Sequence, residues 1–206
     1  DVRSLLLNPS IKLDPALKKK HLIDYYIGIL KGAGLDSDGR AMDLFIKDSD
    51  REYALGLLKK EGLAGNSPII GINPGATGGT AKRWFPERYA ELARQLADIY
   101  HTKVLIFGGP ADAPLGDEIA AMTAGASINI AGKTSLGQAF ALIENLNLFV
   151  TNDSGLMHAA AALDVNQVAV MGSTDYIATC PASDRAVMVR VPVHCSPCLK
   201  DTCPTN

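Results

Sequence analysis

The chain has 206 residues, 47% hydrophobic and 20% charged, which is enough for one well-cored domain with a solvated surface. A formal net charge of −2, a pI near 6.1 and the lack of a dense basic run interleaved with aromatics argue against a nucleic-acid binder, so an anionic ligand must be held by local charge. No stretch of about 18 apolar residues could span a bilayer, and the first residues lack the n-region and apolar h-region of a signal peptide; because the sequence reads as starting in mid-protein, that says little about its parent.

Residues 1–66 read as a lead-in. It holds a helix from Asp14 to Lys31, a short strand from Met42 to Ile46, a helix from about Asp50 to Glu61, and a boundary at Asn66-Ser-Pro68. From residue 67 to 206 strands and helices alternate at the spacing of βα units, which predicts an α/β domain with a Rossmann-like, doubly wound parallel sheet. The first strand is Pro68 to Asn73. The small, polar loop Pro74-Gly-Ala-Thr-Gly-Gly-Thr-Ala-Lys-Arg-Trp84 follows, ending in two cations and suited to wrapping a diphosphate. A helix from near Pro86 puts Tyr89, Leu92, Ala93, Leu96 and Ala97 on one face. Then come a strand from Lys103 to Gly108, a helix near Leu115 and a strand from Ser127 to Ala131. Ser135 and Gln138 have the form of a capping box, with Leu136, Ala139, Phe140 and Ile143 as the apolar face behind it.

The stretch Thr151-Asn-Asp-Ser-Gly-Leu-Met-His158 is the most informative. It joins the short apolar strand around Leu148–Thr151 to a strong helix former, Ala159 to Leu163. Either Asp153 or Ser154 can cap the helix, leaving the amides of Gly155, Leu156 and Met157 without intrahelical partners at the positive end of the dipole. Such a turn binds anions, and Gly155 lets a phosphate approach the backbone; a plainly capped helix is the structural alternative. Two anion-binding turns would then share the carboxyl edge of one sheet. Strands at Gln167–Gly172 and Ala186–Val191 complete the pattern.

Other motifs carry less. Gly132-Lys-Thr134 imitates the end of a P-loop, but residues 127–131 read as strand where the loop should be. Asn152-Asp-Ser154 fits a glycosylation acceptor only on paper, at the end of a central strand. Cys195, Cys198 and Cys203 supply three thiols, to which Cys180 or a residue beyond Asn206 could add a fourth for zinc; the alternative is a structural loop.

Asn73-Pro-Gly-Ala76, Ala81-Lys-Arg-Trp84 and the 151–158 string with its alanine run resemble the ADP-heptose:lipopolysaccharide heptosyltransferases, glycosyltransferase family 9, and most of all its heptosyltransferase II members. The resemblance covers about Ile69 to Pro204. It implies a GT-B architecture, two Rossmann-like domains facing across a cleft, of which residues 67–206 are the C-terminal, donor-binding one and residues 1–66 the interdomain lead-in. The acceptor-side domain with its catalytic base would be missing from this chain, leaving it inactive alone. The implied reaction is inverting transfer of heptose from ADP-heptose to the lipopolysaccharide inner core, in the cytoplasm at the inner membrane, where the parent could make peripheral contact; no metal or other cofactor is implied.

Lys82 and the 155–157 amides are the candidates for stabilising the charge that develops on ADP. Asp153 would repel a phosphate and is better aimed at heptose hydroxyls, with a simple N-cap as the bland reading. His158, one turn above Ser154, could donate to a phosphate, hold Asp153, or be a buried histidine satisfied by backbone. Family likeness adds Asp112 as a grip on ribose hydroxyls and Thr134 where adenine is read mainly by backbone, and Trp84 and Phe85 as packing residues. Phe85 stands where many members have proline, which affects the loop shape. Another GT-B sugar transferase, a UDP-sugar epimerase or a nucleotide-binding module without chemistry remain the alternative functions.

Overall fold

A computed structural model describes residue 11 and residues 14–204. Its centre is a six-stranded, wholly parallel sheet in the order β3-β2-β1-β4-β5-β6. The strands are β1 (Ile70–Asn73), β2 (Val104–Ile106), β3 (Ser127–Asn129), β4 (Leu148–Asn152), β5 (Gln167–Val170) and β6 (Ala186–Val189). The helices are α1 (Leu22–Gly32), α2 (Asp48–Lys60), α3 (Pro86–Tyr100), α4 (Ala113–Met122), α5 (Leu136–Glu144) and α6 (Gly155–Ala162). Among the described residues no helix is long and apolar enough to cross a membrane.

The period-2 alternation of the strands explains how both faces are covered. Ile70, Ile72, Val104, Ile106 and Val150 pack under Tyr89, Ala90 and Ala93 of α3 and Ile119 of α4. On the other face Leu105, Phe107 and Phe149 pack with Leu142 and Ile143 of α5 and Ala160 of α6. The sheet is therefore doubly wound. Gly71 serves this face by having no side chain: a Cβ there would meet Phe107 and Leu146 at 2.7 Å. The strand order reverses between β1 and β4, so the crevice beyond their carboxyl ends is where such a sheet binds ligands.

Several local expectations need correction. The stretch 14–31 is not one helix: a 3-10 helix at Pro15–Lys19, capped by Asp14, stops before α1, whose N-cap is His21. The imidazole takes the Ile23 amide at 3.1 Å and starts a new helix there. Residues 42–46 are not among the six strands. Burial does alternate along them, with Phe45 exposed and Ile46 buried, but among the described residues no strand pairs with the segment. The helix placed at Asp50 begins at Asp48, with Asp48 and Asp50 at its positive end. Its Ala54 and Leu58, with Ile46 and Leu63, join the same core as Phe107 and Phe149, and Arg51 grips Glu144 of α5 through two 2.9 Å bonds. Residues 46–63 thus share the core of the sheet across the Asn66-Ser-Pro68 turn. Leu136, expected on the apolar face of α5, is 65% exposed.

Candidate donor-binding site

The site grows from the ends of β1 and β4, where Asn73 stands opposite Thr151. Asn73 Nδ2 donates to Thr151 Oγ1 at 2.9 Å and to Ser154 Oγ at 2.7 Å. Ser154 is the N-cap residue of α6, yet its hydroxyl faces Asn73 and makes no cap bond. Asp153 does not cap the helix either. Gly155 and Leu156 occupy the first two helical positions, where an amide has no intrahelical acceptor. Met157 differs from the expectation. Its amide donates to Ser154 O at 3.2 Å in a tight first turn, and its side chain is buried against Ala169 and Met171. The space a Cβ on Gly155 would enter is empty to 4 Å, so the helix start faces an open cleft.

The 74–84 loop is fastened to β4 by Asn152, which has no exposed surface. Its Nδ2 donates to Pro74 O at 2.7 Å, while its Oδ1 accepts from Tyr89 OH at 2.9 Å and from the Trp84 amide at 3.2 Å. Burial pushes the Tyr89 phenol far above its ordinary range, keeping it a neutral donor. Trp84 lies edge-on to Tyr89, as packing predicts, but Phe85 is 61% exposed and packs little.

This frame delivers Lys82, on a 3-10 turn at Thr80–Lys82, to Asp153: Nζ lies 3.6 Å from Oδ2. Asp153 is only 5% exposed, and Oδ2 is sealed from solvent without a hydrogen bond. An unpaired buried carboxylate is costly, so the ammonium is what makes the charge tolerable there. The two side chains therefore act as one unit. His158 is close enough to sense both. Burial pushes its pKa below 6.5; Asp153 opposes the shift, and His21 and Lys82 reinforce it. A neutral imidazole results, able to donate one hydrogen bond but carrying no charge. His21 accepts from Ile23 at Nδ1, so its Nε2 carries the proton and donates to Cys180 O at 2.8 Å, fixing α1 against the 176–182 segment.

Beside this unit lies a cleft of about 440 Å³, in the range of small-molecule sites, lined by Asp112, Thr134, Ser154, Gly155 and Leu156. Lys82, Asp153, Met157 and His158 lie outside its lining. Asp112 accepts from the Gly109 amide at 3.0 Å and faces Arg83 NH2 at 3.5 Å, which leaves lone pairs for a further donor. Gly75 is required here: a Cβ would stand 2.5 Å from the Asp112 carboxyl carbon. Arg83, read beforehand only as a second loop cation, thus ties the two loops together. Leu136 lines the cleft, which accounts for its exposure. Lys133 donates to Asn129 O at 2.9 Å, occupied in its own turn. Thr174 is buried behind β5 with its hydroxyl unpaired. Among the described residues no group of three His, Cys, Asp or Glu side chains is arranged to hold a metal.

Residues 2–206 match Glycosyltransferase family 9 (heptosyltransferase). The chain is 43% identical over 137 residues to lipooligosaccharide heptosyltransferase 2 of Haemophilus influenzae, covering 65% of this chain and 39% of that protein. It is 44% identical over 133 residues to lipopolysaccharide heptosyltransferase 2 of Escherichia coli, covering 63% and 38%. It thus spans about two fifths of the length of these curated relatives. The solved E. coli ADP-heptose LPS heptosyltransferase II superposes with a TM-score of 0.73 at 36% identity, covering 92% of this chain and 59% of that one. A glycosyltransferase family 9 structure from Veillonella parvula gives 0.79 at 29% identity, covering 87% and 51%. With the family model matched along nearly its whole length, the chain belongs to glycosyltransferase family 9.

Proposed function

We propose that this chain is the donor-binding half of a GT-B heptosyltransferase that moves heptose from ADP-heptose to a hydroxyl of the lipopolysaccharide inner core. The observation that carries the reading is the juxtaposition of a half-buried cation, Lys82, with a helix start whose Gly155 and Leu156 line an open cleft at the β1/β4 switch point. Relatives named lipooligosaccharide heptosyltransferase 2 and lipopolysaccharide heptosyltransferase 2, 43% and 44% identical over 137 and 133 residues, support it.

In this reading the nucleoside occupies the 440 Å³ cleft, with ribose hydroxyls donating to Asp112 and adenine lying along Thr134 and Leu136. The diphosphate spans the Gly155 and Leu156 amides and Lys82. As the acceptor hydroxyl attacks the anomeric carbon from the opposite face, the bond from that carbon to the phosphate oxygen breaks and its electron pair stays on ADP. Donors already oriented at that oxygen stabilise the growing charge at little reorganisation cost. Asp153 holds the ammonium through Oδ2, leaving its other oxygen for heptose hydroxyls, and neutral His158 donates without competing for the phosphate as a cation. The hydroxyl proton goes to a base on the acceptor side, which we assign to the first domain of the two-domain architecture, with residues 67–206 as the second. The parent would then work in the cytoplasm, at the inner face of the inner membrane where its acceptor lies.

Calorimetry with ADP and UDP tests the donor class: ADP binding at least tenfold tighter is expected, and equal or reversed affinities would favour a different sugar transferase or epimerase. A transfer assay from ADP-heptose to a truncated inner-core acceptor tests the division of labour. Turnover is expected only when residues 1–206 are joined with the acceptor-side domain. Turnover by residues 1–206 alone, abolished by His158→Ala, would make His158 the base.

A further inference from the structure

Lys82 sits on a single 3-10 turn, Thr80–Lys82, that has no side-chain cap, so the turn cannot fix its own position. What fixes it comes from the other end of the chain. The Ala81 amide donates to Asp201 O at 3.0 Å. Gly79, at φ +106°, runs so close to Asp201 that a Cβ would overlap that carbonyl. On the turn's other side, a Cβ on Gly172 would stand 2.7 Å from Ala81 O. The 196–201 segment is itself tied to the exit of β5: Ser196 Oγ donates to Gly172 O at 2.9 Å and the Leu199 amide to Ser173 O at 2.7 Å.

We propose that residues 196–201 are a brace that positions Lys82 for the donor diphosphate, with Gly79 and Gly172 as the two positions whose missing side chains let it close. The inference rests on the reading of Lys82 as the diphosphate cation. A lysine has a long flexible stem, so the point its ammonium reaches depends on where its backbone is held, and a productive contact needs that within about 0.5 Å. The brace does this through backbone atoms alone: the Asp201 carbonyl below the turn and the Gly172 backbone beside it. It also gives the cysteine-bearing segment, with Cys195 and Cys198 flanking Ser196, a task at the donor site that requires no metal ligation.

The test is calorimetry of residues 1–206 with ADP and with adenosine, which lacks the diphosphate, for Gly172→Ala, Gly79→Ala, Lys82→Ala and each glycine variant combined with Lys82→Ala. Gly79→Ala also strains a positive-φ backbone, whereas Gly172→Ala adds only the steric block, so the second variant decides if the first fails to fold. Expected is a roughly tenfold loss of ADP affinity for Gly172→Ala with adenosine unchanged, and less than a further twofold loss once Lys82 is gone. Asp201→Asn, which keeps the carbonyl, should stay within about twofold of the parent. Equal losses for adenosine and ADP, or a full loss persisting in the Lys82→Ala background, would overturn the brace and leave a purely structural tail. Glycine variants without effect beside an effective Lys82→Ala would overturn the brace alone. An ineffective Lys82→Ala would overturn the diphosphate reading and the brace with it.

Discussion

The two sides of the β1/β4 crevice are built on opposite plans. On the cleft side Gly155, Leu156 and Asp112 keep hydrogen-bonding capacity and face open volume. On the loop side Asn73 and Asn152 are buried with their amide groups engaged, and the charges of Lys82 and Asp153 are turned on each other. The spare capacity of the cleft side suits a ligand, the engaged amides of Asn73 and Asn152 hold that surface in place, and the Lys82–Asp153 pair lies between the two. Mutations of the loop-side asparagines should therefore first cost stability, and affinity through it, whereas mutations on the cleft side should cost affinity alone.

Asn152→Ala should have the largest effect. It strands Pro74 O and the Trp84 amide and weakens the partnership of Tyr89 OH, which should destabilise by about 3–5 kcal/mol in denaturant titrations. A cost under about 1 kcal/mol would show that the loop is held by something else. Tyr89→Phe removes only one of those bonds and should cost about 1–2 kcal/mol, with ADP affinity nearly unchanged.

Asp153→Asn dissolves the ion pair that distinguishes the loop side. With the opposing charge gone, Lys82 is fully available to phosphate, so ADP should bind as tightly or a few-fold tighter while ADP-heptose binds more weakly. Equal losses for both ligands in calorimetry would make Asp153 a structural support of the helix start.

The smallest effect is in pH. Above pH about 6.5 His158 is neutral whether folded or unfolded. As pH falls below that value the unfolded chain takes up the proton first, because burial holds the folded-state pKa lower, so stability should drop until the folded pKa is reached and then level. His158→Gln should flatten that part of the stability profile; an unchanged slope would mean that the imidazole titrates as an exposed one does.

How much of this was legible in the sequence follows the range of the interactions. Periodicity located all six strands of the domain and five of the six α-helices to within a few residues, because alternation and capping are local; the Ser135–Gln138 box is one example. It missed the break at His21, where a side chain caps a helix inside a continuous helical pattern, and it read as a strand the 42–46 segment, whose alternation finds no partner strand among the described residues. Of the substrate-binding candidates named together from motif and resemblance, Asp112, Thr134, Ser154, Gly155 and Leu156 line one cavity, whereas Met157 and His158 lie outside it. The structural roles of Asn73 and Asn152 and the Arg83–Asp112 contact were not legible, since each spans tens of residues. An asparagine ending each of two apolar strands was the available signal.

The calorimetric affinity of residues 1–206 for ADP, with and without Lys82, decides whether the ammonium serves the diphosphate. Lys82→Ala removes a charged donor and should weaken ADP by about 1.5–3 kcal/mol, roughly ten- to a hundredfold. An unchanged dissociation constant would contradict the account: Lys82 would then be only the counter-ion that keeps Asp153 buried, and the diphosphate would have to be held elsewhere.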